Sequence, residues 1–447
     1  MTEQDDSAVP DTLDPFRQFF SFRRDVLVLS VAMFAFSLGF QMTTRYIPEY
    51  LNVLGATALV IGLFGTVQNL ISAAYPYPGG ALSDRLGSRL SLTLFGLISS
   101  LGFFFWLVAP AVGTLSVAGF DIEPWVWIFV GLFLAQAWKS FGLGATYAIV
   151  KQSVPPEKLA RGFASTEVFR RTAFLIGPLI AAGLLYVAVD FQTGFQGILA
   201  VAVVFGLIAT AIQHRLYESE DTQIGKSFEG IHEVVADLRG LPQELRPLLV
   251  ADTLVRFANG MVYIFFVIVV VNELGVGLDV GPVTLDPAVF FGVLLAIEMA
   301  VALVSMPIAA RLAESVGLKP VVAVGFSVYA IFPILLIFAP ENAGIILLLF
   351  AYSGLRFAGL PAHKALIVGP AERDTGGRVA GSYYLVRNTV VIPSAALGGV
   401  LYGGFSVPGT ELSYTGSPEV AFTLATVIGV IGTVYFLLFG REFDAYA

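Results

Sequence analysis

Long apolar runs separated by short polar stretches dominate the chain. A bilayer core of about 30 Å requires about 20 apolar residues in a helix, so runs of this length, bounded by Gly, Pro and charged residues, predict membrane-spanning helices. The pattern predicts twelve of them, numbered spans 1 to 12 in chain order. The predicted spans are residues 25–47, 57–79, 90–111, 125–150, 163–189, 194–214, 248–272, 288–311, 320–339, 343–368, 380–403 and 419–440.

One stretch between the apolar runs is long and polar enough to be a linker, and it divides the spans into six and six. Within it, residues 228–238 have the pattern of a short amphipathic surface helix. The predicted organisation is a polar N-terminus (1–24), a first six-helix bundle (25–214), the linker (215–247), a second six-helix bundle (248–440) and a short tail (441–447).

The composition agrees with a membrane protein. The chain has 447 residues, of which 56% are hydrophobic and 13% charged, and its mean hydropathy is +0.81. Soluble domains have about 25% charged residues. Residues 1–15 lack the basic start and apolar core of a signal peptide, so the first span is expected to stay in the mature protein.

The composition also limits the kinds of catalytic and binding site that the chain can form. There is no cysteine, and the three histidines do not have the spacing of a metal site. Neither HExxH nor the phosphate-binding GxxxxGK[ST] loop occurs. No set of nucleophile and base lies at useful depth in the spans. We therefore expect no enzyme activity, no metal, no cofactor and no nucleic-acid partner.

Lysine and arginine are distributed unevenly among the loops. They precede span 1 and follow the even-numbered spans, whereas residues 110–124, 190–193, 273–287, 340–342 and 404–418 contain neither. Short loops rich in these residues stay in the cytoplasm. The pattern predicts a multi-pass protein of the cell membrane with both termini and the linker in the cytoplasm.

Two pairs of similar segments within the chain indicate that the halves arose by duplication. The loop Gly80–Arg89, between spans 2 and 3, has a degraded copy at Ala310–Lys319. Residues 139–172 also align without gaps on residues 356–389, at an offset of 217. Spans 4 and 5 are thus repeated as spans 10 and 11, and the halves are expected to be pseudo-symmetric.

The loop GALSDRLGSR resembles the loop 2/3 signature of the major facilitator superfamily, G-x-L-[SA]-D-R-x-G-R-[RK]. Gly80, Asp84, Arg85 and Gly87 match it, and Ser88 replaces its first arginine. The resemblance implies an all-α integral membrane protein of twelve transmembrane helices in two six-helix bundles, with substrate held between them near the midplane.

The resemblance also implies a cytoplasmic gate formed by Asp84, Arg85, Arg89 and Arg378. The Asp84 carboxylate would meet the N-terminal end of span 11 near Arg378, where the helix dipole favours an anion. Asp84→Asn is therefore expected to impair transport far more than expression.

Three charges lie deep in predicted spans, where a charge costs about 2.5 to 3.5 kcal/mol and is retained mainly beside a cavity or a partner. Glu298 lies about 15 Å into span 8, and Lys139 and Arg356 about 20 Å into spans 4 and 10. In the superfamily spans 1, 4, 7 and 10 line the cavity, so Lys139 and Arg356 are predicted to bind substrate. Alternatively, they neutralise Glu298 and Glu167 and lock the bundles. Glu298, the deepest acid, and Glu167 are the candidates for proton coupling.

Further polar residues in the spans are candidates for substrate contacts or gating. Gln41, Asn259 and Asn388 are predicted to contact substrate, as is Arg45, which we expect at the extracellular mouth. Snorkelling or gate ion pairs explain Arg170, Arg256 and Arg387 at least as well as substrate binding does. Arg171 is a further secondary candidate, because it stands four residues after Glu167 and can pair with it on one helix face. His363 is expected at the cytoplasmic surface.

These features predict a secondary active transporter that works by alternating access. We expect it to be a monomer coupled to protons or another ion, and to move a small organic solute. The excess of buried bases favours an anionic or amphiphilic solute. A multidrug efflux proton antiporter and a sugar uptake symporter remain open, as does a non-transporting sensor or assembly factor with the same fold.

Overall fold

The structure is a computed structural model that describes residues 24–75, 86, 88–117, 120–153, 159–216, 243–368, 376–406 and 413–442. It is mostly helical. The elements of the first half are α1 (Arg24–Thr43), α2 (Ile47–Val53), α3 (Ala58–Ala74), α4 (Ser88–Val112), β1 (Leu115–Val117), β2 (Phe120–Ile122), α5 (Pro124–Ser153), α6 (Leu159–Tyr186) and α7 (Phe191–Leu216).

The second half begins with a 3₁₀ turn at Gln243–Leu245. Its further elements are α8 (Arg246–Val262), a 3₁₀ turn (Tyr263–Phe265), α9 (Phe266–Ile268), a π turn (Val269–Glu273), β3 (Leu278–Val280), β4 (Val283–Leu285), α10 (Pro287–Val316), α11 (Leu318–Ile337), α12 (Ala343–Gly354), a 3₁₀ turn (Leu355–Phe357), α13 (Leu360–Val368), α14 (Gly376–Val391), α15 (Ser394–Gly403), β5 (Phe405–Ser406), β6 (Ser413–Tyr414) and α16 (Pro418–Phe439).

Within the described residues, eight helices are long and apolar enough to cross a membrane. Shorter apolar helices occupy the positions of spans 1, 2, 4 and 5, namely Val31–Thr43, Ala58–Ala74, Pro124–Trp138 and Arg171–Tyr186. The chain is therefore a multi-pass membrane protein, and the count of twelve spans stays a prediction. The predicted surface helix at 228–238 lies outside the described residues.

The loops contain structure that the helical prediction omitted. Strands β1 and β2, β3 and β4, and β5 and β6 form three short antiparallel hairpins. In the second hairpin the turn contains Gly281 at φ 59°, a conformation that glycine adopts without strain. These hairpins connect consecutive helices over short distances and leave the helical framework unchanged.

Polar loop residues define where several helices begin. At α7, α12 and α16 the side chains of Asp190, Asn342 and Ser417 accept hydrogen bonds from backbone N–H groups of the first turn, at 2.9 to 3.1 Å. Such caps satisfy N–H groups that have no partner inside the helix. The backbone N–H and hydroxyl of Thr193 also hold the pKa of Asp190 below its usual range.

The two halves meet through small residues at one end of the helices. In this region α3 packs against α15 and α6 packs against α10. A Cβ added at Gly399 would lie 2.7 Å from the carbonyl oxygen of Ala58 and 3.1 Å from Cα of Gly62, so the two backbones are in contact. Small residues permit such close packing of helices.

Hydrogen bonds also connect the two halves in this region. We call the region the closed end. Tyr46 OH donates to the carbonyl oxygen of Ala288 at 3.0 Å, and Asn272 Nδ2 donates to Glu49 Oε2 at 2.6 Å. The closed end consists of residues 46–66 of the first half and residues 272, 288–292 and 395–403 of the second.

Candidate functional site

A cavity of about 440 Å³ lies between the two halves. Both halves contribute polar residues to the lining of this cavity, and most of the residues that were predicted to contact substrate are among them. These polar residues are Gln41, Thr44, Arg45, Gln68 and Asn69 from the first half and Arg256, Asn259, Glu298, Arg387 and Asn388 from the second. The aromatic lining residues are Phe64, Phe174, Tyr263, Phe291 and Phe357.

Glu298 on α10 is the acceptor of a buried ion-pair cluster. Its Oε1 accepts from Arg356 Nη2 at 2.8 Å and from Ser353 Oγ at 2.5 Å, and its Oε2 lies 3.6 Å from Arg45 Nη2. Arg356 comes from the second half and Arg45 from the first, so one carboxylate joins cations of both halves. We call Glu298, Ser353, Arg356 and Arg45 the Glu298 cluster.

The local backbone explains how Arg356 reaches Glu298. Span 10 changes from α12 to a 3₁₀ turn at Leu355–Phe357, which contains Arg356. Just before this turn, Gly354 touches α10 so closely that a Cβ there would clash with the carbonyl oxygen of Glu298. A glycine at this point therefore permits the contact between spans 8 and 10.

Arg45 does not lie at the mouth, where the sequence predicted it. The chain turns at residues 44–46 between α1 and α2, and this turn directs Arg45 towards the deep Glu298. Its Cζ lies 4.0 Å from the ring centroid of Tyr263, in a cation–π contact. Arg45 is therefore part of the cavity wall, with 11% of its side chain exposed.

One carboxylate does not satisfy two guanidinium groups, each of which carries five N–H donors. Both Nη1 and Nη2 of Arg45 and both Nε and Nη1 of Arg356 are buried and have no hydrogen-bond partner among the described residues. Only 1% of the Arg356 side chain is exposed, and Arg356 lies behind Glu298 rather than on the cavity surface. The cluster therefore has spare donors and an excess of positive charge.

A second cluster centres on Asp252, which the sequence analysis missed. Asp252 is fully buried on α8; it accepts from Arg256 Nε at 3.3 Å and Arg387 Nη1 at 3.1 Å. Tyr383 OH donates to its Oδ2 at 3.1 Å, and His363 Nε2 lies 3.2 Å from the same oxygen. We call these five residues the Asp252 cluster. The i, i+4 spacing of Asp252 and Arg256 is the sequence signal that predicts such a pair.

The Asp252 cluster corrects one expectation. His363 is buried, with 4% exposed, and does not lie at the surface, because α8 and α14 cover it. For Arg256 and Arg387 the sequence left snorkelling, ion pairs and substrate contact open; the structure shows ion pairs of both with Asp252, and both also line the cavity.

Other predicted residues lie away from the cavity or outside the described residues. Arg89 Nε donates to the carbonyl oxygen of His214 at 2.8 Å, which is a contact inside the first half. Arg171 is partly buried and does not line the cavity. Asp84 and Arg85 lie outside the described residues, as do the side chains of Lys139, Glu167, Arg170 and Arg378.

A polar cavity shared by two helical halves of a multi-pass membrane protein is the arrangement of a membrane transporter. The family model of the Major Facilitator Superfamily matches residues 29–284. The chain belongs to the major facilitator superfamily, which confirms the interpretation of the loop motif.

Individual relatives agree with this family. An uncharacterized MFS-type transporter of Mycobacterium tuberculosis (strain ATCC 25618 / H37Rv) is 31% identical over 213 residues, or 46% of each chain, so the chain spans about half the length of that relative. An uncharacterized MFS-type transporter of Methanocaldococcus jannaschii is 21% identical over 93% of this chain and 94% of its own. The crystal structure of the nucleoside transporter NupG has a TM-score of 0.68 at 11% identity, covering 93% of this chain and 99% of that one. At such identity the likeness shows the fold alone.

Proposed function

We propose that the protein is a proton-coupled secondary active transporter of a small organic anion. It works by alternating access between two six-helix bundles, residues 25–214 and 248–440, and Glu298 carries the proton. The observation that carries the proposal is the Glu298 cluster, in which one buried carboxylate faces two guanidinium groups beside the cavity between the halves.

The packing of the halves supports alternating access. They meet at the closed end through backbone contacts and hydrogen bonds, and the cavity lies beside this contact. With the orientation predicted from the loop charges, the closed end is extracellular and the structure is an inward-facing state in the cell membrane. The gate that the motif implies, with Asp84, Arg85, Arg89 and Arg378, would close the opposite end.

The charges of the Glu298 cluster support coupling of a proton to an anion. When Glu298 is ionised, its carboxylate compensates for part of the charge on Arg45 and Arg356. When Glu298 is protonated, both arginines lose this partner, and an uncompensated charge in a low-dielectric site is costly. An anionic substrate then supplies the missing charge. Proton and anion thus favour each other's binding, and by linkage the coupling is reciprocal.

The test measures transport in proteoliposomes with an imposed pH gradient. Organic anions that stabilise the purified protein against heat are first selected, and their radiolabelled forms are then supplied. We expect the wild type to accumulate the anion along the proton gradient. Glu298→Gln is expected to lose this accumulation while it still exchanges labelled for unlabelled anion, because its site no longer changes charge.

The matched control is Glu341→Gln, since Glu341 is exposed in a loop. It should accumulate the anion as the wild type does. Full pH-driven accumulation by Glu298→Gln would exclude Glu298 as the proton carrier. Movement of the solute against the proton, rather than with it, would favour the efflux antiporter.

A neutral, hydroxyl-rich solute is the second candidate. The amides of Gln41, Asn69, Asn259 and Asn388 all line the cavity, and amides can bind the hydroxyls of a sugar. If this candidate is correct, sugars or nucleosides will stabilise the protein equally with and without Arg45→Gln. A charge-dependent ligand will lose its effect in that variant.

A further inference from the structure

The proposed function uses the Glu298 cluster and leaves the Asp252 cluster without a role. Yet Arg256 and Arg387 line the same cavity as Glu298 and Arg45. Their side chains are 24% and 16% exposed, whereas that of Asp252 is fully buried. The carboxylate therefore lies behind its arginines, which face the cavity.

The two arginines keep donors for a ligand. Arg387 donates through Nη1 to Asp252 and through Nε and Nη2 to Asn388, and Arg256 donates through Nε to Asp252 and through Nη1 to Tyr329. Each guanidinium has five N–H groups, so these contacts with described residues leave two on Arg387 and three on Arg256. Asn388 orients Arg387 through both of its hydrogen bonds.

Tyr329 on α11 places the two clusters close to each other. The Cζ atoms of Arg256 and Arg356 lie 4.6 Å and 5.2 Å from the centroid of its ring. These atoms are therefore no more than about 10 Å apart, since both contact one ring. Arg45 of the Glu298 cluster lines the same cavity as Arg256 and Arg387, so a single small molecule in it can contact both clusters.

Both clusters contain more positive than negative charge. Each contains two arginines and one carboxylate, so together they carry two more positive charges than negative ones before His363 is counted. Buried charges without partners are costly, so a ligand that supplies two negative charges is favoured. The same cavity also has an aromatic lining, which includes Tyr263, Phe291 and Phe357.

We infer that the cavity binds a short organic dianion with one acidic group at each end, such as an α,ω-dicarboxylate. One carboxylate binds Arg45 and the other binds Arg256 and Arg387, while the hydrocarbon between them contacts the aromatic wall. This inference rests on the proposed function and specifies its substrate class. It makes Arg256 and Arg387 determinants of specificity.

The test compares ligands of equal chain length that differ in one charge. Binding of succinate, glutarate and adipate to the purified full-length protein is measured by titration calorimetry against butyrate, valerate and hexanoate. The best dicarboxylate is expected to bind roughly tenfold to a hundredfold more tightly than its monocarboxylate, the range for a hydrogen bond to a charged group.

Arg387→Gln should lower the affinity for the dicarboxylate to that for the monocarboxylate and leave the latter unchanged. A role confined to holding Asp252 would instead change both affinities together, which would overturn the inference. The matched control is Arg441→Gln, whose arginine is exposed outside the spans; it should keep the wild-type preference.

The outcomes separate this inference from the proposed function. If mono- and dicarboxylates of equal length bind the wild type equally, the dianion is wrong and an organic-anion transporter remains. If no carboxylate binds at any pH, the inference is wrong, and the proposed function is wrong as well if no other organic anion stabilises the protein or accumulates in the proteoliposomes. Even if Arg387→Gln does not fold, the comparison of mono- and dicarboxylate binding to the wild type decides whether the inference is correct.

Discussion

Asp252 shows how one residue can determine the arrangement of a helical bundle. It lies on α8, yet it holds His363 on α13 and Tyr383 and Arg387 on α14. Three separate helices therefore converge on one carboxylate in the interior. Removing its charge would leave the partly buried Arg256 and Arg387 without their main counter-charge, which is more costly than removing the whole network.

We predict that Asp252→Asn destabilises the second half strongly. Breaking a buried pair by removing one partner costs about 3–5 kcal/mol. The measurement is thermal unfolding of the purified protein in detergent. Asp279→Asn changes an exposed carboxylate in β3 and serves as the control, with unfolding as in the wild type. Equal unfolding of both variants would contradict a structural role for Asp252.

The sequence predicted the deep charges better than their partners. The position of Glu298 and Arg356 in apolar spans was enough to mark them, because a buried charge requires a partner or a cavity. Their mutual contact depends on the packing of α10 against α12, which connects residues 58 positions apart and leaves no periodic signal. The prediction for His363 was wrong for the same reason. It was based on the distance of His363 from a helix end, which does not show which helices pack against it.

At the scale of elements, hydropathy predicted where helices lie and missed where they break. Predicted span 3, residues 90–111, is observed as Ser88–Val112, and predicted span 12, residues 419–440, as Pro418–Phe439. The 3₁₀ and π turns in span 7 and the 3₁₀ turn in span 10 were not predicted, because hydropathy locates a span and carries no information on the spacing of its backbone hydrogen bonds. Both irregular segments adjoin the cavity, where breaks in helices commonly mark function.

We predict that Gly354→Ala disrupts the Glu298 cluster without removing any of its charges. The added Cβ would meet the carbonyl oxygen of Glu298 and lie 2.8 Å from the Cβ of Val301, so α12 must move away from α10. Such overpacking costs about 1–3 kcal/mol. We expect both a lower thermal stability and a loss of pH-driven accumulation in proteoliposomes.

The control for this prediction is Gly183→Ala on α6. A Cβ at Gly183 meets open space, and alanine favours helix, so stability should stay equal or rise slightly. If Gly354→Ala accumulates solute as well as Gly183→Ala does, the close contact of α10 and α12 is not required for coupling.

At the scale of the whole molecule, the closed end and the cavity form one system. Gly62 and Gly399 bring α3 and α15 into backbone contact, while Tyr46 and Asn272 add hydrogen bonds between the halves. In the proposed function this contact must open when the protein changes state. Its strength therefore sets the balance between the two states.

We predict that Gly399→Val shifts the protein towards opening at the closed end. Its side chain would overlap Ala58 and Gly62. The chain contains no cysteine, so Asn69→Cys places a single thiol in the cavity wall. A maleimide that cannot cross membranes, added on the side of the closed end, should label this thiol severalfold faster in Gly399→Val than in the parent.

Gly197→Val on α7 is the matched control, because a Cβ there meets no other atom. It should leave the labelling rate unchanged. An unchanged rate in Gly399→Val would mean that the contact of α3 with α15 does not limit access.

The link between Arg45 and Glu298 has a consequence for energy conservation. Among the ion pairs of the described residues, it is the one that joins the two halves. In the proposed cycle the empty protein returns between its two states with Glu298 ionised, so that its carboxylate compensates for part of the charge on Arg45 and Arg356. A protein that holds only a proton leaves both arginines without this counter-charge and is rare. In the protein loaded with both proton and anion, the anion supplies the missing charge. Glu298, which holds the proton, and Arg45, which binds the anion, thus suppress futile turnover, in which protons would leak across the membrane without moving solute.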